Sequence, residues 1–457
     1  MTASSLIFAS NGGVDKTKLN ILACASPFTG HTMPIINIVE VLIQRGYDVT
    51  FIAGDEFQER IERIGAKFFS VPPTNIVQPA EGRNPHGPYI ASIRHGLLKY
   101  FIEPTEAHKN VLYNVLEHMK REAPTHNIVI LTETFYLGDG PMYLGAALPH
   151  GFTKRPRTVN IHTGPYTLPS RDTPPFCLGL IPDGREESRD TYRAQYEEMV
   201  TVTFADVMAI HEKTLRDLGA VNYKAALPVD ALATAADVTL QMCPPSLEYK
   251  RSDIHPKVRF AGALNHRPST KSFVPPSFWE DVTRGDRIVV VVSQGTIAVD
   301  YADLLIPALQ ALKHRSDIFV VAILGQRGAS LSAEVQIPPN ARVIDYLPYD
   351  AVLPYASVFV MNAGYGGFIQ GVLNGVPMVL AGGSEDKPEV AARGEYSGVA
   401  VNLRTATPSE EQIRGAVSAV LGNPKYKKRV LEVKQENEEM RAMDTVERVI
   451  LEMAALS

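Results

Sequence analysis

Short runs of apolar and β-branched residues alternate with amphipathic segments along the first half of the chain. Residues 20–25 (NILACA) form the first run, apolar positions then repeat at helical spacing from Ile35 to Ile43, and residues 48–52 (DVTFI) form the second run. A strand, a helix and a strand in this order predict a βαβ unit of a parallel sheet. Later runs predict that the sheet continues with strands at residues 65–71, 127–131, 157–161, 238–242 and 258–262.

A second βα pattern begins near residue 285. Its predicted strands are residues 287–292, 318–322, 343–344, 358–361 and 378–380, and its predicted helices are residues 302–313, 368–374 and 408–421. The polar, proline-rich stretch before it is typical of a linker. We therefore predict an α/β protein of two Rossmann-like domains, with these parts: residues 1–263, the linker 264–284, residues 285–440, and a terminal helix, 441–457, that folds back over the first domain.

The composition is typical of a soluble globular enzyme. The chain has 457 residues, too many for one hydrophobic core, and 45% are hydrophobic and 21% charged. A formal net charge of −5 offers no basic surface for nucleic acid or for an anionic membrane. The three cysteines lie far apart without metal-ligand spacing, which favours a reducing compartment. Since no apolar run is long enough to span a bilayer, we expect a cytoplasmic monomer that binds no nucleic acid and does not insert into a membrane.

His31 follows the first predicted strand. The predicted loop from Ser26 to Pro34 places it at the carboxyl edge of the sheet, where ligands bind, and at a helix start that favours the neutral imidazole. A lone histidine is more often a surface or core residue, but this position indicates a general base. Glu133, just past a predicted strand, lies at the same edge and is suited to orient the imidazole and stabilise its protonated form. Asp139 is the alternative partner.

Polar and glycine-rich segments follow three predicted strands of the second domain. Residues 362–367 (NAGYGG) permit tight turning and lead into a helix whose first amides can bind a phosphate. Residues 385–387 (EDK) follow the next strand, and residues 293–296 (SQGT) end the first strand with small groups suited to phosphate oxygens. The alternative is an ordinary turn, in which the glycines serve only the backbone.

Aromatic residues concentrate in two stretches of the first domain, residues 76–104 and 162–180. The first contains several prolines and is predicted to be irregular. Long loops over a βα edge often line an apolar pocket, and the alternative is an insertion with a small core of its own. The candidate pocket residues are Phe28, Tyr89, Phe101, Phe135, Tyr136, Tyr166 and Phe176.

Two regions of the chain resemble the family 1 glycosyltransferases, UDP-dependent enzymes that glycosylate small acceptors. They are the segment Gly30-His31-Thr32-Met33-Pro34 and the donor-binding signature between Tyr346 and Lys387. From Asn362 onward the chain keeps the spacing of that signature without a gap, with Gln370, Gly375-Val376-Pro377 and Asp386-Lys387 at the matching places.

The chain departs from the plant form of the signature at several positions. Asn362 stands where the family has a phosphate-binding histidine, and it can donate an N–H but carries no charge. Gln370 replaces a glutamate that holds the ribose hydroxyls, and Tyr346 stands where the aromatic that stacks on uracil is usually tryptophan. Lys387 replaces a glutamine that helps to read the sugar, so the identity of the sugar stays open.

The resemblance implies a GT-B fold, with two Rossmann-like domains whose parallel sheets face each other across a cleft. It implies that the first domain binds the acceptor and the second binds a UDP-sugar, UDP-glucose by default, as co-substrate. It further implies inverting transfer with His31 as general base and Glu133 as its partner, and neither a metal nor another cofactor. The implied donor-binding residues are Gly30, Ser293, Gln294, Gly295, Thr296, Gly325, Tyr346, Leu347, Asn362, Gly364, Tyr365, Gly366, Gly367, Gln370, Glu385, Asp386 and Lys387.

Two other functions are compatible with the same donor site. One is a GT-B epimerase or hydrolase that acts on a UDP-sugar without an acceptor, and the aromatic stretches argue against it. The other is a protein that holds a nucleotide or lipid without chemistry, for which Asn362 and Gln370 are the best support. The pocket composition favours an apolar or aromatic alcohol, such as a phenol, a polyketide or a sterol-like molecule, as the acceptor.

Overall fold

Seven parallel strands form a first sheet in the computed structural model, which describes residues 15–73, 89–224, 226–264, 273–295 and 300–456. The strands are β1 Leu19–Cys24, β2 Asp48–Ala53, β3 Lys67–Ser70, β4 Asn127–Glu133, β5 Arg157–His162, β6 Val238–Gln241 and β7 Val258–Phe260. Their order is β3-β2-β1-β4-β5-β6-β7. The strand order reverses between β1 and β4, and in such a sheet ligands bind at the carboxyl ends of these two strands.

Helices cover both faces of this sheet. They are α1 Thr29–Gln44, α2 Gln58–Arg63, α3 Tyr89–Gly96, α4 Thr105–Glu122, α5 Gly140–Tyr143, α6 Ser188–Glu198, α7 Ala205–Asp217 and α8 Pro228–Ala235. Two π-helical turns, Leu97–Ile102 and Met199–Thr203, continue α3 and α6. An extended segment between β5 and α6, residues 163–180, is named the bridging loop here because it reaches the second domain.

Two predictions for this domain are wrong in detail. The segment before Pro34 is helical from Thr29, so Pro34 is the sixth residue of α1 and lies inside the helix. Its ring removes the N–H that would donate to the carbonyl of Gly30. The burial of Ile35, Ile38 and Leu42 stabilises the helix in spite of this loss. The stretch predicted to be irregular is helical over residues 89–102, where Ile90, Ile93 and Phe101 pack in one apolar cluster. The prolines before this segment obscure its helical spacing in the sequence.

Six parallel strands form the second sheet, in the order β10-β9-β8-β11-β12-β13. They are β8 Ile288–Ser293, β9 Ile318–Ile323, β10 Ala341–Ile344, β11 Val358–Met361, β12 Met378–Leu380 and β13 Ala400–Asn402. Its helices are α9 Trp279–Thr283, α10 Leu305–Leu312, α11 Tyr349–Val352, α12 Tyr365–Leu373, α13 Lys387–Tyr396, α14 Glu410–Gly422 and α15 Pro424–Met440. The strand order reverses between β8 and β11, and in such a sheet ligands bind at the carboxyl ends of these two strands. The sequence pattern did not predict β13.

The last helix, α16 Ala442–Ala455, leaves the second domain and packs on the first. Arg441 adopts the left-handed conformation (φ 50°) and turns the chain between α15 and α16. Met443, Val446 and Val449 of α16 are buried in the same core cluster as Ile21 and Val129 of the first sheet. The chain therefore crosses between the domains twice. No helix in the described part of the chain is long and apolar enough to cross a membrane.

Candidate active site

His31 and Glu133 meet at the carboxyl edge of the first sheet. His31 lies in the first turn of α1, after β1, and Glu133 is the last residue of the neighbouring strand β4. Nδ1 of His31 lies 2.9 Å from Oε1 of Glu133, which also accepts a hydrogen bond from the backbone N–H of Phe135 at 3.0 Å. Glu133 is 1% exposed, whereas the His31 side chain is 27% exposed. With the Nδ1–H donated to the carboxylate, Nε2 is the ring nitrogen left to receive a proton.

Asp139 does not reach His31. Its Oδ2 accepts a hydrogen bond from the hydroxyl of Tyr143 at 2.8 Å, and its side chain is buried. Burial raises the pKa of Asp139 to about 7. Of the two carboxylates that the sequence left open as partners for His31, the structure brings only Glu133 into contact with the imidazole.

The electrostatic environment of His31 includes a residue of the second domain. Burial disfavours the imidazolium, but the charge of Glu133, its hydrogen bond and the charge of Asp386 outweigh this and raise the pKa of His31 above its ordinary value. The net pKa is therefore raised, although a helix start on its own favours the neutral ring. Asp386 precedes α13 in the second domain, so His31 faces the second domain across the cleft.

Three predicted pocket residues surround the His31 ring. The ring centroids of Phe28, Phe101 and Phe135 lie 5.9, 5.4 and 5.0 Å from that of His31, and Phe101 and Phe135 are 4.7 Å apart. Phe101 is carried by the first π-helical turn, an irregularity that is frequent at functional sites. Phe176 of the bridging loop packs in the same apolar cluster as Phe101 and Phe135. An apolar wall therefore lies beside the imidazole.

The other predicted pocket residues have different surroundings. Tyr136 is fully buried, stacks on His108 with ring centroids 5.0 Å apart and donates its hydroxyl to the His108 carbonyl. It belongs to the core and does not line a pocket. Tyr166 is 3% exposed and packs under the guanidinium of Arg251 at the domain interface. The side chain of Tyr89 lies outside the described residues.

In the second domain, Asn362 joins the loop after β11 to the loop after β8. Its amide donates to the carbonyl of Gln294, and its Oδ1 accepts from the backbone N–H of Gly364 at 3.4 Å. Ala363 adopts the left-handed conformation (φ 61°), which turns the chain into α12. Gly366 faces open space, since a Cβ atom there would have no neighbour within 4 Å. The start of α12 therefore presents backbone N–H groups to a ligand approaching this edge.

Hydrogen bonds from neighbouring residues hold the loop after β8 in place. Ser293 is fully buried and its hydroxyl accepts a hydrogen bond from Tyr349 at 2.9 Å. The amide of Gln294 donates to the carbonyl of Asp300 at 2.7 Å and accepts from the N–H of Leu305 at 2.8 Å. These contacts engage the side chain of Gln294 in supporting the loop, and its backbone carbonyl already accepts the amide of Asn362. Thr296 lies outside the described residues.

An exposed aromatic and a cation lie beyond β9 and β10. Tyr346 is 38% exposed, and the guanidinium of Arg327 lies 4.3 Å from the centroid of its ring. Gly325 adopts a positive φ of 85° just after β9 and turns the chain toward Arg327. Leu347 is buried in the core. The sequence pattern did not single out Arg327, although its position just past a strand end was a signal for it.

A lysine at the start of α13 pairs with the acidic segment that precedes the helix. Glu385 adopts a left-handed conformation (φ 55°) and pairs with Nζ of Lys387, which also donates to the hydroxyl of Ser384 at 3.2 Å. Lys387 is 9% exposed. Burial raises the pKa of Asp386. Lys387 neutralises Glu385, and Asp386 is the carboxylate of this segment whose charge acts on His31.

The remaining predicted donor residues have these positions. Gly30 lies in the first turn of α1 with open space beside it, and Gly367 packs against Met361. Gln370 is half-buried on α12. Tyr365 packs in a core cluster that also contains Cys243 of the first domain, so its side chain points away from the helix start. Within the described ranges, no three His, Cys, Asp or Glu side chains are grouped closely enough to hold a metal ion.

The chain is similar to known glycosyltransferases in sequence and in fold. The family model described as "UDP-glucoronosyl and UDP-glucosyl transferase" matches residues 195–448. The chain is 55% identical to UDP-glucosyltransferase 1 of Beauveria bassiana, over 97% of either chain, and 35% identical to UDP-glucosyltransferase A1 of Starmerella bombicola, over 95% of this chain and 92% of that one. The crystal structure of the kitacinnamycin glycosyltransferase superposes with a TM-score of 0.67 at 20% identity, covering 94% of this chain and 98% of that one. The last match confirms the predicted GT-B fold.

Proposed function

The chain belongs to the UDP-glucuronosyl and UDP-glucosyl transferase family, and from this premise we propose that it moves glucose from UDP-glucose to a hydroxyl group of a hydrophobic small molecule, with inversion at the anomeric carbon. Membership makes it a UDP-dependent glycosyltransferase. The sugar, the acceptor class and the roles of individual residues are the proposal. The observation that carries it is the contact between His31 Nδ1 and Glu133 Oε1 at 2.9 Å, at an edge that faces the donor domain.

In the proposed reaction, Nε2 of His31 takes the proton of the acceptor hydroxyl. The acceptor oxygen forms a bond to the anomeric carbon as the bond from that carbon to the UDP oxygen breaks, and the electron pair leaves with UDP. A single displacement of this kind inverts the configuration. Glu133 stabilises the imidazolium that forms, as the carboxylate does in a catalytic triad. Because Glu133 is almost fully buried, its charge is weakly screened by water.

The diphosphate is proposed to bind between Asn362 and the start of α12. The helix start and the left-handed turn at Ala363 direct N–H groups toward an anion, and Asn362 adds a neutral donor. The uracil ring is proposed to stack on Tyr346, with Arg327 behind that ring. Asp386 is proposed to accept hydrogen bonds from the sugar hydroxyls, since Lys387 already pairs with Glu385.

Changing Asn362 to Asp is expected to weaken the binding of UDP by about tenfold or more. The carboxylate has the same shape, but it repels the diphosphate and cannot donate to the Gln294 carbonyl. Calorimetric titration with UDP measures the effect. Asn402→Asp, at the end of β13, is the control and should bind UDP normally. An unchanged affinity in Asn362→Asp would move the diphosphate away from this turn.

The acceptor is proposed to be a planar, apolar alcohol such as a phenol. The three phenylalanine rings around His31 offer aromatic faces and edges for stacking, and an apolar wall replaces the water around the reacting hydroxyl. Polyketide and sterol-like alcohols share these features and belong in the same test panel.

We also propose that transfer needs no divalent metal. The helix start, the turn at Ala363 and Asn362 supply neutral donors to the leaving diphosphate. EDTA is expected to leave the transfer rate unchanged within about twofold, measured with enzyme and substrates passed over a chelating resin. A rate that collapses with EDTA and returns with Mg²⁺ would show that a cation carries the diphosphate charge.

The rival within enzymes is a hydrolase or epimerase of UDP-sugars, and acceptor dependence separates it from a transferase. Release of UDP from UDP-glucose is expected to rise steeply when a phenol is added and to yield one hexosylated product per UDP. Equal release with and without the acceptor would support the hydrolase.

We further propose that the enzyme works as a monomer in the cytosol, because one chain supplies both sides of the cleft and all three cysteines are free.

A further inference from the structure

A buried ion network joins the two domains beside the cleft. Arg393 of α13 is 2% exposed, and its Nε donates to Oε2 of Glu248 in the first domain at 2.8 Å. Its Nη1 donates to Oε2 of Glu389, one turn earlier on α13, at 2.7 Å. A second guanidinium, that of Arg251, lies 3.4 Å from the same oxygen of Glu248. Two cations and two anions are thus balanced within the interface.

The same network holds the bridging loop at two points. The Nη2 of Arg393 donates to the carbonyl of Tyr166 at 2.9 Å, and Oε1 of Glu248 accepts from the N–H of Tyr166 at 2.7 Å. Near the other end of the loop, Oε1 of Glu389 accepts from the N–H of Gly179 at 2.7 Å. Backbone groups of a first-domain loop are therefore fixed to a helix of the second domain.

This attachment connects the two substrate sides. Helix α13 begins at Lys387, directly after Asp386, whose charge acts on His31. The bridging loop carries Phe176, which packs in the apolar cluster with Phe101 and Phe135 next to the imidazole. Any shift of α13 relative to the loop would therefore change the distance between the sugar end of the donor site and the acceptor wall.

We propose that Arg393 is a positioning residue for transfer, which fixes the bridging loop to α13 and so sets the approach of the acceptor hydroxyl to the anomeric carbon. The inference rests on the transfer reaction proposed above. Apolar packing alone allows an interface to slide, whereas hydrogen bonds from one planar guanidinium to acceptors on three residues of two domains define one register. A displacement of about 1 Å in such a geometry costs about 100-fold in rate.

The test compares Arg393→Met with Arg393→Lys and with a matched control, Arg155→Met. Arg155 makes a paired contact with Asp237 inside the first domain, with distances of 2.8 and 2.9 Å, and its loss should lower stability without touching the interface. In Arg393→Met we expect faster amide hydrogen exchange in peptides covering residues 163–180, kcat for transfer lowered by about 100-fold, and UDP affinity within about twofold of the wild type. Arg393→Lys should recover part of the rate.

Three results would overturn the proposal: normal kcat in folded Arg393→Met, unchanged exchange in the bridging loop, or an equal loss of rate in Arg155→Met. If Arg393→Met does not fold, Glu389→Gln replaces it, since the amide keeps an acceptor for the Gly179 N–H but loses the ion pair. A wild-type protein that transfers no sugar would refute the proposed function instead. The exchange experiment would then still decide whether Arg393 holds the loop.

Discussion

Replacing His31 with alanine is expected to lower kcat for hexose transfer by about two to four orders of magnitude, the usual contribution of a positioned general base. The substitution removes the ring nitrogen that would receive the acceptor proton. His31 lies in the first turn of α1, and alanine has a high helix propensity, so the fold should persist. Release of UDP in the presence of a phenol measures the loss.

The controls for His31→Ala separate chemistry from binding. The affinity for UDP should stay within about twofold of the wild type, because a lost transition-state interaction lowers kcat without weakening the donor complex. His118→Ala removes an exposed histidine from α4 and should leave the rate unchanged. A His31→Ala protein with a near-normal rate would remove His31 from the mechanism.

Replacing Glu133 with glutamine is expected to lower kcat by about two to four orders of magnitude as well, since an amide can hold the imidazole in the wrong tautomer. It should also change the pH dependence. As a base His31 acts in its neutral form, so kcat/KM falls as pH falls through its pKa, which Glu133 raises above the ordinary value. Without that charge, the acidic limb of the kcat/KM profile should move to lower pH.

Asp139→Asn is the matched control for Glu133→Gln. Asp139 is also a buried carboxylate and follows the same strand as Glu133, β4, but it accepts a hydrogen bond from Tyr143. Its replacement should leave the acidic limb where it is in the wild type. A limb that moves in Asp139→Asn and stays in Glu133→Gln would transfer the partnership with His31 to Asp139.

The central sheets could be predicted because their strands are marked by local composition. The strands β1, β4, β8 and β11 are buried on both faces and therefore consist of apolar runs, which the sequence displays directly. The strand β13 has three residues, AVN, and is held by pairing with β12, so no run marks it. The helical segment at residues 89–102 is masked in the sequence by the prolines that precede it.

The contact between His31 and Glu133 was within reach of the sequence although 102 residues separate them. Both follow strands whose carboxyl ends lie at one edge, and neighbouring strands bring their ends together. The sequence could not decide between Glu133 and Asp139 as the partner of His31, because the answer depends on which way the chain turns after β4. The network around Arg393 has no local signal either, since its partner Glu248 lies 145 residues away on another domain.

The anomeric configuration of the product tests the central claim most directly. The enzyme is incubated with UDP-glucose, whose glucosyl bond is α, and with a mixed panel of phenols and hydrophobic alcohols, and the hexosylated product is isolated and analysed by NMR. The account predicts a β-glucoside, because a single displacement assisted by His31 inverts the anomeric carbon. An α-glucoside, or no glucoside from a protein that binds UDP, would contradict it.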